Sequence, residues 1–332
     1  MSQLKFHRVK LAEAPSLTAF ADHTIHQSKE WLQFVSATQK AEPVIAVVKD
    51  GERTVGRFTG LIVRKLGLRI LGSPFQGWTT SYMGFNLDRS VPRGEAVLAL
   101  RDFAFRQLGC VHLEVMDRNL SIEDAERLGF RYQVHGGFEI DLTRSEKELL
   151  ASMADMARRN IRKAEREGVT LEEATDQGFA DDYYSQLEDV FAKQQLVPTY
   201  PKSRVQALMD HLLPTGRLLL VRARSKEGKC IATGIFPGMN DTMYFWGGAS
   251  YRPDQHLRPN EAIQWFAMRW WKTRGISKYD LGGGSEYKRK YGGRDIAIPW
   301  IRASRYPILE HLRTGAKKLF AYRQRLLGKN KA

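Results

Sequence analysis

Long apolar runs and cysteine are scarce in this 332-residue sequence. No apolar stretch approaches the ~20 residues of a membrane-spanning helix, and the N-terminus, MSQLKFHRVK, has no apolar core of the kind that a secretory signal needs. The two cysteines, Cys110 and Cys230, lie far apart and show no metal-ligand spacing. We therefore expect a cytoplasmic protein whose cysteines are small core residues, without a metal site.

Motifs of several functional classes are also absent. No Ser-His-Asp or Cys-His arrangement is visible, which leaves little support for a covalent acyl-enzyme. LGGGSEYKRK (281–290) fits neither the dinucleotide-binding nor the P-loop pattern, and no helix-turn-helix, zinc-finger or RNP pattern occurs. What the chain does contain is an excess of positive charge, +15, which favours anionic partners such as nucleic acid, phosphorylated metabolites or an acidic membrane surface.

An internal similarity relates the two halves of the chain. EAVLALRDFAFRQLGCVHLEV starts at Glu95, and EAIQWFAMRWWKTRGISKYDL starts at Glu261, 166 residues later. Each segment begins Glu-Ala-β-branched, continues as an apolar-rich helical stretch and reaches a glycine, Gly109 or Gly275. These glycines predict the ends of two equivalent helices, and a short strand-like run follows each of them.

Strand–turn–strand patterns precede both helices, at 43–60 and 217–236. Each half is therefore predicted to contain a hairpin, a further strand, a helix and a strand. That order predicts an α/β fold in the broad sense, with mixed sheets of the α+β kind. It also predicts two tandem domains, each with a crossover helix.

The expected domain boundaries follow from the same pattern. The first domain is predicted over 1–145 and the second over 146–305, opening with a helix capped at Thr143 or Ser145. Residues 306–332 predict a basic amphipathic helix and tail. This helix suits either peripheral contact with an anionic membrane at its inner face or docking on the second domain.

Four stretches, in this order, resemble a known family. HQSKEWLQF (26–34), MARRNIRKAEREGV (156–169) and YKRKYGG (287–293) are similar to segments of FemABX-type proteins, and AERLGFRYQVHGGFEI (125–140) looks like the closing helix and strand of GNAT-superfamily acyltransferases. The resemblance implies two GNAT-like domains that together form an N-acyltransferase. Members transfer an aminoacyl group from aminoacyl-tRNA to a peptidoglycan precursor, and relatives in envelope and polysaccharide pathways use acyl-CoA.

The resemblance also implies a donor that arrives as a co-substrate, aminoacyl-tRNA or acyl-CoA, with no tightly bound cofactor. In CoA-dependent GNAT enzymes, [QR]-x-x-G-x-[GA] at the start of the crossover helix holds the pyrophosphate through backbone N–H groups. Here 257–262 reads LRPNEA, which lacks both the Gln/Arg and the Gly, and 91–96 reads VPRGEA, which keeps only the Gly. This departure favours a tRNA-borne donor and leaves CoA open.

The stretch YDLGGGSEYKRKYGG (279–293) contains the candidate catalytic residues. The resemblance places Lys288 at the family's lysine near the transferred acyl group, where an ammonium would stabilise an oxyanion or the leaving group. Asp280, near the end of the preceding predicted strand, is a candidate base or orienting group. A glycine-rich loop with solvated charges is the alternative interpretation.

Candidate substrate-binding residues lie on the basic helix, before the second crossover helix and around the glycine-rich stretch. Arginines suit phosphate or carboxylate, and aromatic residues could line a pocket. The candidates are Arg158, Arg159, Asn160, Arg162, Arg258, Asn260, Trp246, Tyr251, Tyr287 and Tyr291. A solvated helix face and ordinary aromatic packing are the alternatives for these residues.

Two function classes remain open at this point. The first is a monomeric N-acyltransferase that acts by direct attack of an amine of a cell-envelope, peptidoglycan or sugar-nucleotide acceptor, which is anionic or lipid-linked. The second is a non-catalytic GNAT-like module that binds RNA or an anionic membrane through its basic surface.

Overall fold

The structure, a computed structural model, describes residues 4–308. Most of the helix predicted for 306–332 therefore lies outside the described residues. The described chain divides into two compact units: one runs to Gly136 and resumes at Ala297, and the other is Gly137–Ile296. None of the helices in this part is both long and apolar enough to cross a bilayer.

The first unit is built on a mixed sheet. Its strands and helices, in chain order, are β1 (Leu4–Val9), α1 (Lys29–Gln39), β2 (Glu42–Asp50), β3 (Arg53–Lys65), β4 (Leu68–Ser73), β5 (Phe85–Leu87), α2 (Arg93–Asp102), a π-helical turn (Phe103–Gln107), β6 (His112–Met116) and α3 (Ile122–Arg127). Short 3-10 helices occupy Leu11–Glu13, Leu17–Ala19 and Ile25–Gln27. Neighbouring strands run antiparallel, except that β4 and β6 are parallel.

The second unit has the same general layout. Its elements are β7 (Arg131–Asp141), α4 (Glu146–Ser152), α5 (Asp155–Arg166), β8 (Thr170–Glu173), α6 (Phe179–Ala192), α7 (Lys202–Leu212), β9 (Leu218–Arg224), β10 (Cys230–Met239), β11 (Thr242–Tyr244), β12 (Gly247–Ser250), α8 (Pro259–Lys272), β13 (Lys278–Gly283) and β14 (Arg294–Ser304). Short 3-10 helices occupy Leu213–Thr215, Arg252–Leu257 and Glu286–Tyr291. Within this unit β11 and β13 are parallel, and β13 pairs antiparallel with the last residues of β7.

The division between units falls inside two strands rather than between consecutive segments. β7 passes from the first unit into the second at Gly136–Gly137, and β14 passes back at Ile296–Ala297. Within the first unit, β14 pairs antiparallel with β6. The units therefore do not coincide with the expected segments 1–145 and 146–305, because each unit takes one strand from the other half of the sequence.

The predicted crossover helices are confirmed in both halves. α2 lies between the parallel strands β4 and β6, and α8 lies between the parallel strands β11 and β13. The glycines that follow, Gly109 and Gly275, have φ of 64° and 83°, the left-handed conformation expected at a helix end. The predicted mixed α/β fold with a crossover helix in each half is thus observed.

Local sequence explains the helices that open the second unit. Ser145 caps α4: its Oγ accepts the Glu148 N–H at 3.3 Å, and the Glu148 carboxylate accepts the Ser145 N–H at 2.8 Å. In α5, Ala157 and Ala164 are fully buried and Ile161 packs against the core, so one face is apolar and the opposite face is basic.

Candidate active site

The site lies where two parallel strands of the second unit diverge. β11 and β13 pair up to Tyr244 and Asp280, and the next N–H, that of Phe245, donates to the Asp280 carbonyl at 3.0 Å. From Gly247 onward the chain pairs with β10 alone, as β12, while β13 continues to Gly283. The carboxyl end of β13 is thereby released from its neighbour, and in α/β folds ligands collect at such strand ends.

The Lys288 ammonium lies at this divergence. Its Nζ donates to the Leu281 carbonyl at 2.7 Å and to the Gly283 carbonyl at 3.2 Å, and it lies 5.5 Å from the ring centroid of Phe245. Burial lowers the pKa of Lys288, and the charge of Asp280 opposes that lowering. Since an ammonium has three donors, one N–H remains for a bound group.

Asp280 stabilises the backbone turn at Gly282, next to the carbonyls that bind Lys288. Its carboxylate is 1% exposed and accepts the Gly282 N–H at 2.7 Å. Gly282 has φ of 66°, a left-handed conformation that glycine adopts without strain. The sequence-predicted pair Lys288 and Asp280 is therefore brought together, with Asp280 holding the backbone whose carbonyls receive Lys288.

A second buried carboxylate, Glu139, lies beside Asp280 on the adjacent strand. The two residues are cross-strand partners of β7 and β13, and Glu139 is 3% exposed. Arg294 donates to Glu139 Oε1 at 2.6 and 3.2 Å. Sequence reasoning missed Glu139 because it arrives on a strand from the first half of the chain.

The start of α8 holds a third buried carboxylate, that of Glu261. Its Oε1 accepts Asn160 Nδ2 at 3.0 Å and Lys290 Nζ at 2.7 Å. The predicted substrate-binding residue Asn160 is thus hydrogen-bonded to an acidic side chain. Glu261 was visible in the sequence as the repeated Glu-Ala, but its partner 101 residues away was not.

The arginines of α5 separate into two kinds. Arg158 turns back on α4, where its guanidinium donates to the carbonyls of Leu150, Ala151 and Met153 and pairs with Asp155. Arg159 and Arg162 are exposed, and among residues 4–308 neither has a side-chain partner. Arg158 is therefore not available as a substrate-binding residue in the way that Arg159 and Arg162 are, because a helical period predicts a face but not the contacts made along it.

The segment before α8 makes mostly local contacts. Arg258 begins the helix with φ of 61° and is exposed, while Asn260 Nδ2 donates to the Ser250 hydroxyl at 3.1 Å. The Lys229 ammonium covers the Tyr251 ring at 5.5 Å from its centroid. Asn260 and Tyr251 thus contact other side chains, whereas Arg258 has no side-chain partner among the described residues.

The predicted aromatic residues lie in different surroundings. Trp246 is 8% exposed and packs against Tyr200 and Tyr183, with centroids 5.4 and 6.5 Å away. Tyr291 is 2% exposed, whereas Tyr287 is 53% exposed with its ring centroid 5.9 Å from Lys288 Nζ. Of the predicted aromatic residues, Tyr287 adjoins the candidate lysine, which also lies near the ring of Phe245.

The corresponding strand end of the first unit is filled by its own side chain. Asp117, 2% exposed, follows β6 and accepts the Phe85 N–H at 2.8 Å, and Arg93 lies 3.4 Å from the same carboxylate oxygen. This arrangement leaves no equivalent of the Lys288 environment there. Within the described residues of either unit, no three His, Cys, Asp or Glu side chains are grouped to hold a metal ion.

Comparison with known proteins agrees with this geometry. Residues 151–289 match the family model described as an acetyltransferase (GNAT) domain. No curated protein matches the sequence. The matched range includes α5, the divergent strands, α8 and Lys288.

Solved structures share the fold over most of the chain. FemX superposes with a TM-score of 0.71 at 15% identity, covering 90% of this chain and 97% of FemX. A tandem GNAT protein from the clavulanic acid biosynthesis pathway gives 0.56 at 12% identity, covering 92% and 99%. The C-terminal domain of a candidate lysylphosphatidylglycerol synthetase from Agrobacterium fabrum gives 0.55 at 12% identity, covering 79% and 85%. The predicted FemABX-like and GNAT-like resemblance is thus confirmed at the level of the fold.

Proposed function

We propose that the chain, whose residues 151–289 match the acetyltransferase (GNAT) domain model, transfers an aminoacyl or acyl group from an activated donor directly to an amine. The observation that carries this proposal is the half-buried ammonium of Lys288, held by two backbone carbonyls at the carboxyl end of β13. The acceptor we propose is an amine of a cell-envelope, peptidoglycan or sugar-nucleotide type molecule.

Direct transfer needs stabilisation of the negative charge that develops on the acyl oxygen and on the leaving group. Two of the three Lys288 donors are held by the carbonyls of Leu281 and Gly283, which fixes the direction of the third. A fixed, partly desolvated donor of this kind stabilises a developing oxyanion more strongly than a solvated lysine does. Lys288 therefore has the role of electrostatic catalyst, and Asp280 positions it.

The surroundings of α8 bear on the choice of donor. Glu261 puts a buried carboxylate in the first helical turn, and the first helical residue, Pro259, has no N–H. Both features weaken the helix start as a site for a pyrophosphate, which such a terminus otherwise attracts. They support an aminoacyl-tRNA donor over acyl-CoA.

The exposed cations Arg159 and Arg162 support an anionic acceptor or donor. Guanidinium groups without protein partners can pair with phosphate or carboxylate oxygens in a bidentate manner. We propose that these two side chains contact the phosphate groups of one of the two substrates.

A donor screen by mass spectrometry tests the proposal. The chain is incubated with several amine acceptors and either a charged-tRNA mixture or a panel of CoA thioesters. We expect acylated amine with charged tRNA and about 10²–10³-fold less product with Lys288→Ala, the loss typical of one oxyanion donor. The matched control is Lys278→Ala, since Lys278 is half-exposed at the start of β13 and pairs with Asp241.

The outcomes separate the alternatives. Product from CoA thioesters alone would reverse the proposed donor and keep acyl transfer. No product from any donor, together with tight RNA or anionic-vesicle binding that Lys288→Ala leaves unchanged, would favour the non-catalytic module.

A further inference from the structure

A cleft of the first unit, remote in sequence from Lys288, gathers arginines from three elements. Arg8 comes from β1, Arg69 from β4 and Arg106 from the π-helical turn, and the cleft they line has a volume of about 450 Å³. We call it the arginine cleft. Its size falls in the range of small-molecule sites.

The charges in the arginine cleft are unbalanced. Glu42 pairs with Arg8 at 2.7 Å and lies 3.7 Å from Arg69, and the hydrogen bond from Arg8 lowers the pKa of Glu42, which keeps it ionised. Arg106 has no side-chain partner in the part of the chain that the structure describes. Three guanidiniums and one carboxylate leave a local charge of +2.

Donors in the cleft also remain unused. The Arg69 guanidinium makes a side-chain hydrogen bond with the Cys110 thiol, a weak acceptor, and its buried Nε has no partner within the described residues. Arg8 uses one nitrogen, Nη2, to donate to the Glu42 carboxylate at 2.7 Å and to the Pro43 carbonyl at 3.2 Å. The other N–H groups of Arg8 and those of the exposed Arg106 can donate to an oxyanion, and such charge-assisted hydrogen bonds are stronger than neutral ones.

Helix capping does not account for these cations. The carbonyls of Phe103 and Ala104 already accept the N–H groups of Leu108 and Cys110 at 3.0 and 2.9 Å. In the second unit, Lys272 stands 166 residues after Arg106 and donates to the Leu142 carbonyl at 2.6 Å. The cation at this position thus has a backbone partner in the second unit, Lys272 with Leu142. Arg106, at the same position in the first unit, has no side-chain partner in the described part of the chain.

The backbone at Arg106 is itself unusual. After α2 the chain continues as a π-helical turn over Phe103–Gln107, whereas α8 remains α-helical to Lys272 at the equivalent place. Such π-helical insertions occur frequently at functional sites. The wider turn carries Arg106 on the wall of the cleft.

We propose that the arginine cleft binds a compact phosphate-bearing ligand, a site separate from the acyl-transfer centre. The local charge of +2 matches a phosphate dianion. The planar forks of three arginines suit its tetrahedral oxygens, which accept from several directions at once. The proposal does not depend on the proposed function, because it concerns the other unit.

Isothermal titration calorimetry with inorganic pyrophosphate tests the site on the full chain at about 0.15 M salt, where non-specific surface attraction is largely screened. We expect saturable binding that Arg69→Gln and Arg106→Gln each weaken by about tenfold or more. The matched control is Arg127→Gln, which removes the same charge from a surface pair with Asp124 in the same unit and should leave the affinity unchanged.

Three results would overturn the proposal. These are no saturable binding of pyrophosphate by the wild-type chain, an equal loss with Arg127→Gln, or equal affinity for succinate, a dianion without phosphate. Thermal unfolding of each variant establishes that it is folded. Acyl-transfer activity of Arg106→Gln, measured separately, should remain at the wild-type level.

Discussion

Gly283 stands in the second unit where Asp117 stands in the first, 166 residues earlier, at the end of the strand that follows the crossover helix. The Asp117 carboxylate accepts the Phe85 N–H at 2.8 Å and fills the strand end so closely that a β-carbon on Gly84 would clash with it. Gly283 has no side chain to occupy the corresponding place, and Lys288 Nζ lies 3.2 Å from its carbonyl. The difference between Asp117 and Gly283 therefore separates a strand end that a carboxylate fills from one that has no side chain.

Gly283→Asp should close the site by restoring the side chain of the first copy. A carboxylate at 283 would pair with the Lys288 ammonium and occupy its third donor, so we expect about a 10²-fold or larger loss of acyl transfer. Steady-state kinetics measure the loss, and circular dichroism establishes folding. Gly284→Asp, one residue further along on an exposed position, should retain most activity. Full activity of Gly283→Asp would show that this strand end is not the reaction centre.

Acyl-transfer activity should begin to fall at a lower alkaline pH than it would if Lys288 were a fully solvated lysine. Burial lowers the pKa of Lys288, so the ammonium is lost as pH rises through this lowered value, and catalysis that needs the charged form falls with it. Asp280→Asn removes the charge that opposes the lowering, while its amide oxygen can still accept the Gly282 N–H. We expect the alkaline limb of the profile of kcat/KM against pH to move to lower pH in Asp280→Asn. A limb that stays in place or moves to higher pH would contradict this coupling.

The sequence was most informative where structure is local. Gly109 and Gly275 ended their helices as predicted, because a left-handed helix end depends on the residue itself. Ser145 capped α4 for a similar reason. The strand exchange at Gly136–Gly137 was not predicted, since the pattern of a strand identifies its buried residues but not which strand it pairs with.

Side-chain partners were the least predictable feature of the candidate site. Arg158 shares a helical period with Arg162, yet its guanidinium is taken by carbonyls of the preceding helix. Asn160 donates a hydrogen bond to Glu261, 101 residues later, and the pattern of neither segment predicts this contact. The identity of Lys288 as a candidate came from a motif, but its two carbonyl partners depend on the turn that Gly282 makes.

Acid stability should depend on an ion pair between Asp176 and the buried Arg222. The guanidinium donates to both Asp176 oxygens, at 2.5 and 2.9 Å, and its hydrogen bonds lower the pKa of Asp176 from 3.8 to about 2. A depressed carboxyl pKa adds stability that is present above pH 3.8 and is lost as pH falls towards 2. Because the Asp176 side chain is 60% exposed, we expect a contribution of only about 1 kcal/mol.

Urea unfolding of Asp176→Asn and of the wild-type chain measures this contribution. The variant should be less stable at neutral pH, and the difference should shrink between about pH 4 and pH 2. About 1 M salt should also reduce it, because a half-exposed pair is screened. A difference that is constant with pH would show that the charge of Asp176 is not responsible.

The turn that follows Lys288 should tolerate no side chain at Gly292. This residue has φ of 78°, and a β-carbon there would lie 2.5 Å from the Ser152 carbonyl oxygen. Gly275 has a similar φ of 83° but open space around it, so Gly275→Ala isolates the conformational penalty of about 1–2 kcal/mol. Gly292→Ala should lose that amount plus the clash, about 3 kcal/mol or more in the free energy of unfolding. Because the displaced turn carries Lys288, Gly292→Ala should also lower acyl transfer at temperatures where it remains folded, whereas Gly275→Ala should not. Equal stabilities of the two variants would mean that the contact with Ser152 relaxes without penalty.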